Sequence, residues 1–309
     1  MDKFNKNQNP TSKGVCNMEH YLDMARDGKN NVWRYILGIF IILTVFYGYG
    51  IIVPESVDTW GPLVNYLIQD FSYILYFLAV VLVIKIIHKR SFKSLITPKK
   101  SLHWKLMGIG FTIYFVLMFL FSLLPQYLAD PSSLSLNPNL WGFLIFLPFL
   151  LIIVPIQTTS EELFFRGYLL QATGFLSRNF ILLAILNGIL FMLPHLANPE
   201  VAQAPLTAII DWVVFGFVMA YLTLKSGTLE MAIAAHASNN LFITVISNYQ
   251  GSVFSTPSLL VTSTSEATTA ADGDLVFLLI SILTTILIPV LYYLLMFKIP
   301  QIKKYRDMS

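Results

Sequence analysis

Viewed only as apolar and polar positions, the chain is a succession of long apolar runs separated by short polar segments. Runs of about 20 mostly apolar residues are long enough to cross a hydrocarbon core of about 30 Å as helices. They fall at 35–53, 63–87, 106–127, 140–165 with an extension to about 177, 180–196, 206–224, 228–248 and 275–297. The pattern predicts an all-α, polytopic membrane protein of about eight transmembrane helices. A polar tail over 1–34 precedes the single helical domain of 35–297, and a basic tail over 298–309 follows it. The first run stands behind that polar tail and lacks a small-residue cleavage site, so it is expected to stay as a membrane helix and not to serve as a signal peptide. MEHYLDMARD, at 18–27, reads equally as a short interfacial helix or as ordinary tail, and the Ser- and Thr-rich stretch 251–274 reads as a loop.

Composition agrees with the pattern: 56% of the 309 residues are hydrophobic and 12% are charged, where soluble domains carry roughly a quarter charged residues. Of the 20 Lys and Arg residues, 19 lie before or at the opening of the first run, from the end of the second through the loop after it, between four and five, between six and seven, or after the eighth. All of these positions are on one side. The opposite loops, among them PESVDTWGP, ADPSSLSLNPN and LANPEVAQAP, contain none. Basic loops stay in the cytoplasm, so both termini of this cell-membrane protein are expected there, which requires an even number of spans. The net charge of +3 therefore reports orientation in the lipid bilayer and implies no nucleic-acid partner. Trp33, Trp60, Trp104 and Trp141 fall at run ends, as headgroup anchors do. Cys16, the one cysteine, offers neither an internal disulfide nor a multi-cysteine metal site.

The twentieth basic residue, Arg166, belongs to TTSEELFFRGYLL inside the fourth run. A charge at the bilayer centre costs about 2.5–3.5 kcal/mol on insertion scales, so such groups face a protein interior or a water-filled cavity. Glu162 and Arg166 are four residues apart and share a helix face, where they can pair. Glu161 is turned about 100° away and is left the freer carboxylate. An ion-pair network that locks helix packing would explain the trio equally well. The later runs add FMLPH, with Phe191 and His195, and HASNN, with His236 and Asn240. Glu161 lies 17 residues before Arg178 and His195 lies 17 after it, so a helical hairpin turning there brings the two level. His236, 11 residues after Lys225, is expected somewhat shallower.

A glutamate and a histidine together can hold and deprotonate a water, while a second histidine and an asparagine amide stabilise the oxyanion of a tetrahedral intermediate. In that reading no cofactor is required. Alternatively Glu161, His195 and His236 are three ligands of a Zn2+ ion with water in the open position, although no H-E-x-x-H is present. In this order, E-E-x-x-x-R, F-x-x-x-H and H-x-x-x-N over about 140–248 resemble the signature motifs of the CPBP family, the CAAX proteases and bacteriocin-processing enzymes also called Abi proteins. The resemblance implies that Glu161 and His195 activate the water, that His236 and Asn240 form the oxyanion hole, and that Glu162, Arg166 and Phe191 support them. It also implies an intramembrane endopeptidase resembling those that remove three residues after a prenylated cysteine, acting on a membrane-associated peptide or protein through a cavity open to membrane and cytoplasm. Two other classes stay open: a non-catalytic bacteriocin self-immunity or binding protein on the same fold, and a proton or ion transporter. For a transporter, Asp70 and Asp211 would be further relay groups, though their positions near run ends are explained by interfacial solvation.

Overall fold

The computed structural model describes residues 20–54, 59–249, 252–254, 256–262 and 275–298. Cys16, the basic tail over 299–309 and most of the 251–274 loop lie outside them. Eight helices occupy the eight apolar runs: α1 (Val32–Ile52), α2 (Pro62–Leu82), α3 (Trp104–Met118), α4 (Leu140–Glu162), α5 (Phe180–Met192), α6 (Pro205–Ser226), α7 (Glu230–Leu241) and α8 (Leu275–Lys298). Among the described residues, six helical stretches, those built on α1 to α6, are long and apolar enough to cross a membrane. The seventh is different in kind. Its 12 residues continue into a five-residue π turn, and nearly every one is buried between α3 and α4. A helix enclosed by other helices needs no lipid-facing stripe, which explains how α7 can read EMAIAAHASNNL.

Local chemistry sets the helix ends. Asn139 and Asn179 cap α4 and α5 by accepting from the amides of Gly142 and Leu182. α6 ends at Gly227, whose φ of 72° is the left-handed conformation that a glycine adopts without strain. α5 and α6 pack closely because Gly188 and Gly216 face each other: a Cβ on Gly216 would stand 2.8 Å from the Gly188 Cα. On the outside of the bundle, large apolar side chains such as Ile36, Phe40, Ile152 and Leu182 are exposed, as a lipid-facing surface requires.

The loops gather at two ends of opposite character. At the basic end the N-terminal segment is helical over residues 20–27, so the short-helix reading of MEHYLDMARD holds for that part. Asp23 pairs with Arg178 at 2.7 Å, and the Leu229 amide donates to Ile96 O. At the other end β1 (Leu134–Leu136) runs antiparallel to β3 (Leu260–Thr262), and β2 (Ser247–Tyr249) runs parallel to β3, giving the order β1-β3-β2. Trp33, Trp60, Trp104 and Trp141 stand exposed near helix starts.

Candidate active site

After Glu162 the α4 helix loosens into a π-helical stretch, Leu163–Leu169, before Leu170–Thr173 resumes α geometry. A π segment displaces backbone carbonyls from their usual partners and recurs at functional sites. Here side chains from other elements meet two of them: Asn187 Nδ2 donates to Phe165 O at 2.7 Å, and Tyr21 Oη donates to Arg166 O at 3.0 Å and to Leu95 O at 2.8 Å. The helix end that carries the charges is thereby tied to α5 and to the N-terminal segment.

Glu162 is fully buried and its Oε1 accepts twice, from Arg166 Nη1 at 2.9 Å and from His236 Nδ1 at 2.7 Å. The first contact is the pair that helical spacing predicts. The second joins α4 to α7 and was not visible in the sequence. Because Nδ1 gives its proton to Glu162, Nε2 of His236 is turned toward Glu161, whose Oε2 lies 3.8 Å away. His195 is fixed in the same manner, with Nδ1 donating to Phe191 O at 2.7 Å so that Nε2 is left free. Asn239 Nδ2 donates to Asn240 Oδ1 at 3.1 Å, which leaves the Asn240 amide as a donor. Glu161, His195, His236 and Asn240 line one shared cavity, while Glu162 stays buried behind them.

Phe191 is the hub that connects them. Its ring centroid lies 4.6 Å from that of His195 and 5.8 Å from that of His236, and the Arg166 guanidinium stacks on its face at 4.1 Å. His195 joins the Glu161 and His236 set through this ring and the cavity. His236 is level with Glu161, not shallower, because α7 begins inside the protein: Leu229 hangs on Ile96 O, and His236 comes six residues after Glu230. The ends of the neighbouring helices are staggered, so counting from loop charges misjudged its depth.

The cavity has a volume of about 2200 Å³ and is lined by Glu161, His195, His236 and Asn240 among many others. Its further lining comes from the β-strand end, including Asp130, Asn198, Glu200 and Phe254, with none from the basic loops among the described residues. Asp70 and Asp211 also line this cavity, well inside α2 and α6, which replaces their assignment to the interface. On the basic side a buried polar floor lies beneath the site. Arg90 Nη1 donates to Gln171 Oε1 at 2.7 Å, and Gln171 Nε2 donates to Ser94 O at 2.8 Å. His88 donates from Nδ1 to Lys29 O and accepts at Nε2 from Tyr168 Oη, both at 2.8 Å, while burial pushes its pKa down to about 4.

The donor types suit zinc, and Glu162 and the Phe191 carbonyl orient the two imidazoles by accepting from their Nδ1 atoms, as the hydrogen-bond partners of metal-bound histidines do. The three groups are not gathered to ligand spacing: among the described residues no cluster of three or more His, Cys, Asp or Glu side chains could hold a metal ion.

The family described as type II CAAX prenyl endopeptidase Rce1-like matches residues 140–242, a stretch that contains the three motifs. A protein of Bacillus subtilis (strain 168), described as uncharacterized protein YyaK, is 35% identical over 246 residues, 74% of this chain and 82% of the relative. No solved structure gives a significant match.

Proposed function

The chain belongs to the Rce1-like, CPBP family of CAAX-type intramembrane proteases, and from that premise we propose that it hydrolyses a peptide bond with a water activated at Glu161. The observation that carries this reading is the imidazole of His236, held by Glu162 at 2.7 Å and turned to Glu161 at 3.8 Å on the wall of a large cavity. A purely structural ion-pair network would have no need of a carboxylate and two oriented imidazole nitrogens facing open space.

In the proposed cycle Glu161 takes a proton from water while His195 Nε2 accepts the water's other hydrogen bond. The hydroxide oxygen bonds to the scissile carbonyl carbon, and the C=O electron pair moves to the oxygen. Asn240 Nδ2 donates to that oxyanion. His236 can donate from Nε2 only when that nitrogen also carries a proton, and Glu161 is the group beside it that can supply the one taken from water. Collapse of the intermediate breaks the C–N bond, and the same proton leaves on the amine. Glu162 and Arg166 touch no reacting atom in this scheme; they position His236. The substrate we infer is a membrane-associated peptide or protein, with a prenylated CAAX-type terminus as the form the family suggests.

The test compares peptide termini in membranes of cells producing the parent or Glu161→Gln protein at equal levels. New termini that depend on Glu161 support proteolysis. Identical termini, together with a cellular phenotype that survives Glu161→Gln, would instead indicate a non-catalytic binding or immunity protein.

A further inference from the structure

Four of the five tryptophans stand at helix starts, where headgroup anchoring explains them. The fifth, Trp212, lies away from both ends of α6 and lines the cavity. α6 carries none of the three motifs, yet Trp212 and Phe215, three residues apart on one face, each meet an imidazole of the site. The Trp212 ring centroid stands 5.1 Å from that of His195 with the planes 34° apart, and the Phe215 centroid stands 5.0 Å from that of His236 at 67°.

His195 has the greater need of such a neighbour. His236 sits within α7 with Nδ1 on a buried carboxylate, whereas His195 belongs to a 3-10 turn, Leu193–Ala197, and its Nδ1 meets only the Phe191 carbonyl. The ring torsion of a histidine is broad, and one hydrogen bond fixes one corner of the ring. A swing about that corner would carry Nε2 away from the water it serves. Rings on two sides remove that freedom. Phe191 stands 4.6 Å from His195, centroid to centroid, at 43°, and no ring contact joins Phe191 to Trp212 among the described residues, so the two stand on different sides of the imidazole.

The approach of α6 suits this arrangement. Gly216, four residues after Trp212 and on the same face, lets the helix close on α5: a Cβ there would stand 2.9 Å from the Phe191 Cβ. A larger residue would lift that face, and Trp212 with it, away from His195.

We propose that Trp212 is a positioning residue, the second wall of a slot that sets the plane of the His195 imidazole and so aims Nε2 at the attacking water. This rests on the peptidase reading for the role of His195. The placement of the two rings stands apart from that reading.

The experiment has one arm with turnover and one without. In proteoliposomes holding the full chain and an internally quenched peptide library, Trp212→Leu is expected to lower kcat by about ten- to a hundredfold, the scale of a misplaced catalytic group. KM should stay within about twofold, since ground-state binding is untouched. Trp212→Phe, which keeps a flat ring, should restore most of the loss. In a His195→Ala background, Trp212→Leu should cause no further loss, because its effect passes through His195. A rise in KM at unchanged kcat, or equal losses in both backgrounds, overturns the proposal. In the second arm the protein carries 13C-labelled histidine, and the His195 ring signal is identified by its disappearance in His195→Gln. Ring currents of the flanking indole displace that signal, so Trp212→Leu should move it toward the position of free histidine while the other histidine signals report an intact fold. A His195 signal that stays in place overturns the slot even where no peptide is cleaved. If Trp212→Leu cleaves like the parent while Glu161→Gln does not, this proposal falls alone; if Glu161→Gln cleaves like the parent, the peptidase reading falls with it.

Discussion

Removing the charge of Glu162 while keeping its shape separates the two adjacent glutamates most clearly. Glu162 and Arg166 are both fully buried, and their 2.9 Å contact is the ion pair that Arg166 makes among the described residues. Glu162→Gln leaves the guanidinium in the core without its ion-pair partner, offset by the face of Phe191 and more weakly by the Phe165 ring and the Glu161 carboxylate. Breaking a buried pair by removing one partner costs about 3–5 kcal/mol, whereas removing both charges in favour of apolar groups is near neutral. The substitution is thus expected to lower the unfolding midpoint of the detergent-solubilised protein by roughly 6–20 °C, taking about 2–4 °C per kcal/mol. Glu162→Gln combined with Arg166→Met should recover most of that loss. Glu161→Gln, at a side chain that faces the cavity and whose nearest ion-pairing partner candidate, His236 Nε2, stands 3.8 Å away, should change the midpoint little. The reasoning is refuted if Glu162→Gln unfolds with the parent, or if Glu161→Gln is the less stable of the two.

Tyr21→Phe removes the donor shared by Leu95 O and Arg166 O in a fully buried setting, and is expected to cost about 1–3 kcal/mol and to increase hydrogen exchange in the π segment after Glu162. Phe191→Ala should cost about 3–5 kcal/mol through the cavity it leaves, with a circular-dichroism melt as the measure. His88 gives the pH dependence. Its folded pKa of about 4 lies below the ordinary value of 6.5, so its contribution is intact above about pH 6.5 and is lost as pH falls toward 4. After allowance for solvent at that end, about 1–2 kcal/mol is at stake. His88→Gln, which retains one donor and one acceptor, should flatten the difference in melting temperature between pH 7 and pH 4.5.

The apolar runs located α1 to α8 because long apolar helices are written in length and hydropathy, whereas short helices such as Phe92–Leu95 and Pro199–Gln203 left no such mark; the Glu162–Arg166 pair was legible because i,i+4 spacing is local. The Glu162–His236 bond was not legible: it joins residues 74 positions apart, and the staggered start of α7 has no marker in the run lengths. The π stretch after Glu162 escaped for a related reason. One extra residue per turn leaves no trace where Leu163 to Leu169 are buried on all sides. Asn187, isolated in FILLAILNGILF one turn before Phe191, was a signal that could have been used. Asp70 and Asp211 looked interfacial only because the cavity that exposes them is lined by all eight helices, α1 to α8, and the strand end, and no single segment records it.

The central claim is that Glu161 activates the water, and the most direct measurement is the cleavage rate of an internally quenched peptide library by the purified protein and its Glu161→Gln variant in proteoliposomes. A positioned general base contributes about 10²- to 10⁴-fold. The account predicts a loss of that size in kcat for Glu161→Gln, with folding and reconstitution equal to the parent. A variant that cleaves as fast as the parent would contradict it.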